Sequence, residues 1–184
     1  MIIESTILPE VKVIIPEVFS DERGYFLETY QKNKFIENKI PHHFYQDNEV
    51  KSKKHTIRGL HYQTGETSQA KLVKVINGRI LDFVVDLRVP LRSYNNCQFF
   101  EMKGGDELIV PRDFAHGFIT LEENTVVQYL VDNDYSPENE GSIYWNEFPE
   151  IRETIKEFFD GKLSTNDLII SHKDNYTKNF TFDK

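Results

Sequence analysis

The chain has 184 residues, a formal net charge of −8 and 39% hydrophobic content, with 14 Phe and 9 Tyr. That length suits one domain spanning 1–184, and the aromatic content excludes a disordered polymer. The acidic balance argues against nucleic-acid or anionic-membrane binding, and a lone cysteine, Cys97, excludes an intrachain disulfide or a cysteine-based metal site.

The N-terminus, M-I-I-E-S-T-I-L-P, has neither a basic leader nor a long apolar run, so a cytoplasmic protein is expected. Residues 11–15 are a β-branched run closed by Pro16, which predicts a strand. Residues 21–24 predict a turn and 25–30 a second strand, with Arg23 and Glu28 as charges flanking it. A short helix is expected over 31–40, burying Phe35 and Ile36. In F-Y-Q-D-N-E-V, an extended chain places Gln46 and Asn48 on one face, as ligand readers or as loop residues.

The region 58–78 concentrates ionisable groups beside strand patterns: R-G-L-H-Y-Q, then K-L-V-K-V-I-N-G. Alternation over 71–76 puts Lys71, Val73 and Val75 on one face and Leu72, Lys74 and Ile76 on the other. Whichever face is buried takes a lysine inside, and a buried ammonium needs a partner or an anionic ligand. Strict alternation also sends Arg58 and His61 to opposite faces, unless Gly59 permits a bulge.

Residues 79–88 are the clearest strand, with Leu81, Phe83, Val85 and Leu87 opposite Asp82, Val84 and Asp86. Further short strands are expected at 98–102, 107–110, 114–121 and 125–131, a density that indicates a β-sandwich or barrel. One amphipathic helix is expected near 151–161, where Ile151, Ile155, Phe158 and Phe159 share a stripe and Gly161 ends it.

The stretch G-D-E-L-I-V-P-R-D-F-A-H, 105–116, resembles the second cupin motif, with Asp113 where that motif prefers glycine. The first cupin motif is matched by H-Y-Q, Lys71 and Gly78, but Gln63 replaces a ligand histidine and Lys71 a ligand glutamate. Two imidazoles, His61 and His116, beside an ammonium make a poor transition-metal site. The resemblance implies a mainly β cupin jelly roll, a β-sandwich/barrel with a few short helices, lacking the metal.

Within that superfamily the chain resembles the dTDP-4-dehydrorhamnose 3,5-epimerase family. The matching stretches are F-S-D-E-R-G-Y-F-L-E, Y-Q-D-N, I-R-G-L-H-Y-Q, A-K-L-V-K-V-I-N-G, V-D-L-R, V-P-R-D-F-A-H-G-F, Y-S-P-E-N-E and S-H-K-D; the segment after Trp145 departs from the family's pattern. The resemblance implies His61 as general base, Tyr129 as general acid and Asp174 as the group orienting His61. It implies substrate contacts from Arg23, Glu28, Gln46, Asn48, Arg58, Lys71, His116, Glu140 and Lys173, a nucleotide-sugar substrate, no cofactor, and a homodimer in which Arg23 reaches the neighbouring site. The chemistry fits those residue types. Epimerisation beside a ketone needs a base near neutral pH, an acid on the opposite face, and a cation, here Lys71, for the enolate oxygen. A C3-only epimerase, a 3,4-ketoisomerase and a non-catalytic sugar-binding cupin are the alternatives; Gln63 and Lys71 disfavour a metal-dependent oxygenase.

Overall fold

The computed structural model describes residues 1–8 and 10–175. The expected run of short strands is present, and it builds two sheets lying face to face. The first has six antiparallel strands in the order β1 (Ile2–Ser5), β2 (Lys12–Ile15), β10 (Glu107–Val110), β7 (Lys71–Asn77), β12 (Thr125–Val131) and β5 (Gln46–Ser52). The second runs β13 (Glu140–Ser142), β6 (Thr56–Gln63), β11 (Phe114–Thr120), β8 (Arg79–Asp86) and β9 (Cys97–Lys103). A two-residue strand, β14 (Ile169–Ile170), pairs in parallel with the start of β6. A separate hairpin joins β3 (Val18–Asp21) to β4 (Gly24–Leu27). This is the jelly-roll sandwich that the cupin resemblance implied.

Three apolar layers hold it together. Between the sheets, Val73, Val75, Leu108, Val110 and Val127 meet Ile80, Val84, Phe114 and Phe118. Outside the first sheet, Ile14, Leu72 and Ile109 are covered by Phe35, Ile40 and Phe44 around α1 (Lys32–Glu37). Outside the second, Ile57, Leu60, Tyr62, Leu81, Phe83 and Ala115 are covered by Trp145 and by Ile151 and Ile155 of α2 (Pro149–Phe158). The amphipathic stripe therefore does pack inward, although Phe158 stays 38% exposed. Pro149 opens the helix, and Gly161, at a φ of +67°, leads the chain away just past its end.

Because both faces of the first sheet are covered, β7 sends a lysine to each side. Lys71 points between the sheets toward a cleft, while Lys74 is buried on the outer face, where its Nζ donates to Thr29 Oγ1 at 3.1 Å. Lys74 is paired across the strands with Glu107, which is almost fully buried and whose two carboxylate oxygens have no hydrogen-bond partner. Burial pushes the Glu107 carboxyl up to about 8, against the pull of the Lys74 ammonium.

The alternation on β6 breaks where the sequence allows it to. Partners on β11 run His116 to His61, then Phe118 to Arg58, so the register shifts across Gly59. Ile57 and Leu60, three residues apart, consequently share the outer face. Arg58 and His61 share the inner one, and both line the cleft.

Candidate active site

The cleft lies between the ends of the two sheets, with a volume of about 420 Å³. One wall comes from the second sheet, with Arg58 and His61 of β6, His116 and Phe118 of β11 and Glu140 of β13. The other comes from the first, with Gln46, Asn48 and Val50 of β5, Lys71 of β7 and Tyr129 and Val131 of β12. Lys173 closes it from the C-terminal segment.

His61 and Tyr129 thus stand on opposing sheets of one cleft. His61 Nε2 lies 2.6 Å from Asp174 Oδ1. A carboxylate at that distance holds the proton on Nε2 and leaves the basic lone pair on Nδ1. Burial opposes ionisation of Asp174, but hydrogen bonds from His61 and Ser171 outweigh it and hold its carboxyl below the ordinary range. Parallel pairing of β14 with β6, in which Ile169 lies opposite Thr56 and Ile170 opposite Ile57, brings Asp174 to the strand that carries His61. A tight turn then follows, with the Asp174 N–H donating to the Ser171 carbonyl at 3.1 Å. The segment after Trp145, which departs from the family pattern, is therefore the route by which Asp174 reaches the site. Burial raises the Tyr129 phenol, which keeps it protonated at neutral pH, with Arg58 and Lys173 pulling weakly the other way.

Three cations, Arg58, Lys71 and Lys173, converge on the cleft beside the His116 imidazole. Burial lowers Lys71 to about 8, partly offset by Asp82 and Glu140, so it is still mainly an ammonium at neutral pH. Its Nζ donates to the His61 carbonyl at 3.2 Å. Lys173 grips Glu140 through both oxygens, at 2.6 and 2.7 Å, and Tyr135 adds a hydrogen bond to the same carboxylate at 3.0 Å. Arg58 Nε donates to Ser52 Oγ, and Gln46 Nε2 to Asn48 Oδ1, so the predicted shared face of Gln46 and Asn48 is present.

Arg23 and Glu28 are not brought to this cleft. Arg23 sits at the tip of the β3–β4 hairpin, its side chain 85% exposed and paired with Asp21, and Glu28 pairs with Lys34. Gln63, in a cupin ligand position, has its amide committed elsewhere: Nε2 donates to the carbonyls of Thr67 and Asp134, and Oε1 accepts from the Ser136 N–H. Asp113, where the motif prefers glycine, takes a φ of +64° and is held by hydrogen bonds with Ser68. Among the described residues no group of three or more His, Cys, Asp or Glu side chains could hold a metal ion. The cleft also contains Gln69 and Tyr135, for which residue type alone gave no signal.

The model of the dTDP-4-dehydrorhamnose 3,5-epimerase family matches residues 5–181. The chain belongs to this family. It is 41% identical over 152 residues to the dTDP-4-dehydrorhamnose 3,5-epimerase of Salmonella typhimurium, covering 80% of this chain and 82% of the relative. Among solved structures it resembles the dTDP-4-dehydrorhamnose 3,5-epimerase of Elizabethkingia anophelis, with TM-score 0.84 and 39% identity over 96% of this chain and 94% of that one. It also resembles the dTDP-6-deoxy-D-glucose-3,5-epimerase of Legionella pneumophila in complex with dTDP-4-keto-L-rhamnose, with TM-score 0.82 and 33% identity over 94% of this chain and 88% of that one. As a member of this epimerase family the protein is an isomerase of nucleotide-sugar metabolism. No helix among the described residues is long and apolar enough to cross a membrane.

Proposed function

We propose that the cleft epimerises a dTDP-4-keto-6-deoxyhexose at C3 and C5, converting dTDP-4-dehydro-6-deoxyglucose to dTDP-4-dehydro-L-rhamnose. The reading rests on one observation above the rest: His61, backed by Asp174, and Tyr129, kept protonated by burial, line opposite walls of a single cleft. The relative bound to dTDP-4-keto-L-rhamnose supplies the substrate class.

His61 Nδ1 removes the proton α to the ketone. The electron pair of the broken C–H bond moves into the C–C bond and onto the C4 oxygen, forming an enolate. The Lys71 ammonium stabilises that oxygen, an interaction strongest when the charge has developed. Tyr129 donates its proton to the opposite face, inverting the carbon, and solvent restores both groups. The same cycle at the second carbon completes the reaction. Arg58, His116 and Lys173 bind the diphosphate and sugar, Glu140 holds Lys173 in place, and Gln46 and Asn48 read the remaining polar groups. No step requires a metal or redox cofactor.

The chain works as a single domain in the cytoplasm and pairs with a second copy. The support for pairing is the β3–β4 hairpin, whose Val18, Phe19, Tyr25 and Phe26 are all more than half exposed and which carries Arg23 at its tip. Covered by a partner, that hairpin would lose its exposed aromatics and carry Arg23 and Glu28 toward the partner's cleft.

The test is incubation with dTDP-4-dehydro-6-deoxyglucose in deuterated water, followed by NMR. Deuterium at both C3 and C5 with inversion at both is expected. Exchange at C3 alone would make this a mono-epimerase, and exchange at neither would overturn the reading.

A further inference from the structure

Behind His116 on the cleft wall lies a carboxylate that the proton-transfer scheme does not use. Asp82 lies on β8, on the strand face that looks between the sheets, and is fully buried. Its Oδ2 sits 2.7 Å from His116 Nε2, reached from the adjacent strand, where Asp82 is paired with Phe118 and Val84 with His116. Its Oδ1 is buried with no hydrogen-bond partner. A buried carboxyl oxygen left unpaired is costly, more so if charged, which a packing role for Asp82 does not explain.

We propose that Asp82 is a positioning residue for the epimerisation, fixing the His116 ring with its proton on Nε2 and keeping the neighbouring Lys71 side chain in its ammonium form. The inference rests on the role given above to Lys71.

The geometry supports both halves. A carboxylate at 2.7 Å from Nε2 accepts its proton, so the Nδ1 lone pair of neutral His116 is the free one. Asp82 does not touch Lys71, yet it is the leading charge opposing the burial that lowers that lysine. The other groups facing Lys71 are Glu140 of β13, which also favours the ammonium, and Lys173, which disfavours it. Arg58 and His61 of β6, His116 of β11 and Tyr129 of β12 complete its surroundings in the cleft. Burial raises the Asp82 carboxyl, while His116 and Lys71 hold it down.

The test is Asp82→Asn, which keeps shape and removes charge. Losing an opposite charge lowers a lysine, so turnover at pH 8 should drop roughly tenfold with KM little changed. The alkaline limb of the kcat profile should move to lower pH, and the deficit should shrink as pH is lowered toward 6. Simple loss of packing would depress turnover at every pH. In parallel, imidazole ¹⁵N shifts should report an Nε2–H tautomer for neutral His116 in the unaltered protein and its loss in Asp82→Asn. Should Asp82→Asn fail to fold, the wild-type tautomer still decides: Nδ1–H on His116 overturns the proposal. Lys71→Met separates the two readings. If it keeps wild-type turnover, the role of Lys71 fails and the proposal with it. If it is slow while Asp82→Asn keeps the wild-type alkaline limb, the role of Lys71 stands and the inference about Asp82 is wrong.

Discussion

Gly59 and the backbone of His116 stand too close for any side chain to come between them. A Cβ on Gly59 would lie 2.5 Å from the His116 carbonyl oxygen and 2.7 Å from Gly117 Cα. Gly59 also has a φ of +104°, and its register shift is what turns Arg58 and His61 to one face. Gly59→Ala should therefore cost at least about 2 kcal/mol, since neither obstructing atom is on a flexible side chain. Urea unfolding at the wild-type midpoint would show that the bulge does not depend on glycine.

The two faces of proton transfer should separate by mutation. His61→Ala should abolish both solvent exchange and inversion, and Tyr129→Phe should let deuterium enter while inversion falls, each by on the order of 10²–10⁴. Asp174→Asn should be intermediate or severe, because an amide can favour the wrong imidazole tautomer. Wild-type inversion by Tyr129→Phe, read by NMR in deuterated water, would refute the assignment.

Turnover should survive exhaustive chelation. Both imidazoles of the cleft already direct Nε2 at carboxylates, and Gln63 is committed to three backbone groups. Loss of activity on dialysis against a strong chelator, restored by a divalent metal, would contradict this.

Glu107 gives the protein a pH-dependent weakness. Its folded value, about 8, is above the usual carboxylate value of 4.5, so the folded state binds its proton more tightly. The contribution to stability is complete below pH 4.5 and is lost as pH rises toward 8. Glu107→Gln should flatten the dependence of melting temperature on pH between 5 and 8 relative to wild type. Parallel melting curves for the two proteins across that interval would rule it out.

Self-association should depend on the β3–β4 hairpin. Phe19 and Phe26 face each other across it at 6.3 Å and are both more than half exposed. Light scattering at micromolar concentration should show a dimer, and Phe19→Asp with Phe26→Asp should yield a monomer with much reduced turnover. A wild-type monomer with full activity would remove the need for a partner.

Much of this protein was determined by residue order alone. Alternation on 79–86, the stripe through Ile151 and Ile155, and the spacing of short strands specify a β-sandwich with one packed helix, because each element must bury its own apolar face. The contact between His61 and Asp174, 113 residues apart, exists only because β14 adds to the edge of β6. Alternation also could not decide between Lys71 and Lys74. The structure sends one to each side, leaving Lys71 partly exposed in the cleft and burying Lys74, since α1 covers the sheet face that would otherwise meet water. Asp82 was one of three residues on a strand face, indistinguishable in pattern from Val84. Only the pairing of β8 with β11 placed its carboxylate against an imidazole in the buried layer between the sheets, where charges act on one another strongly. Periodicity is a local property of the chain, whereas the field in the cleft is summed over strands far apart in sequence.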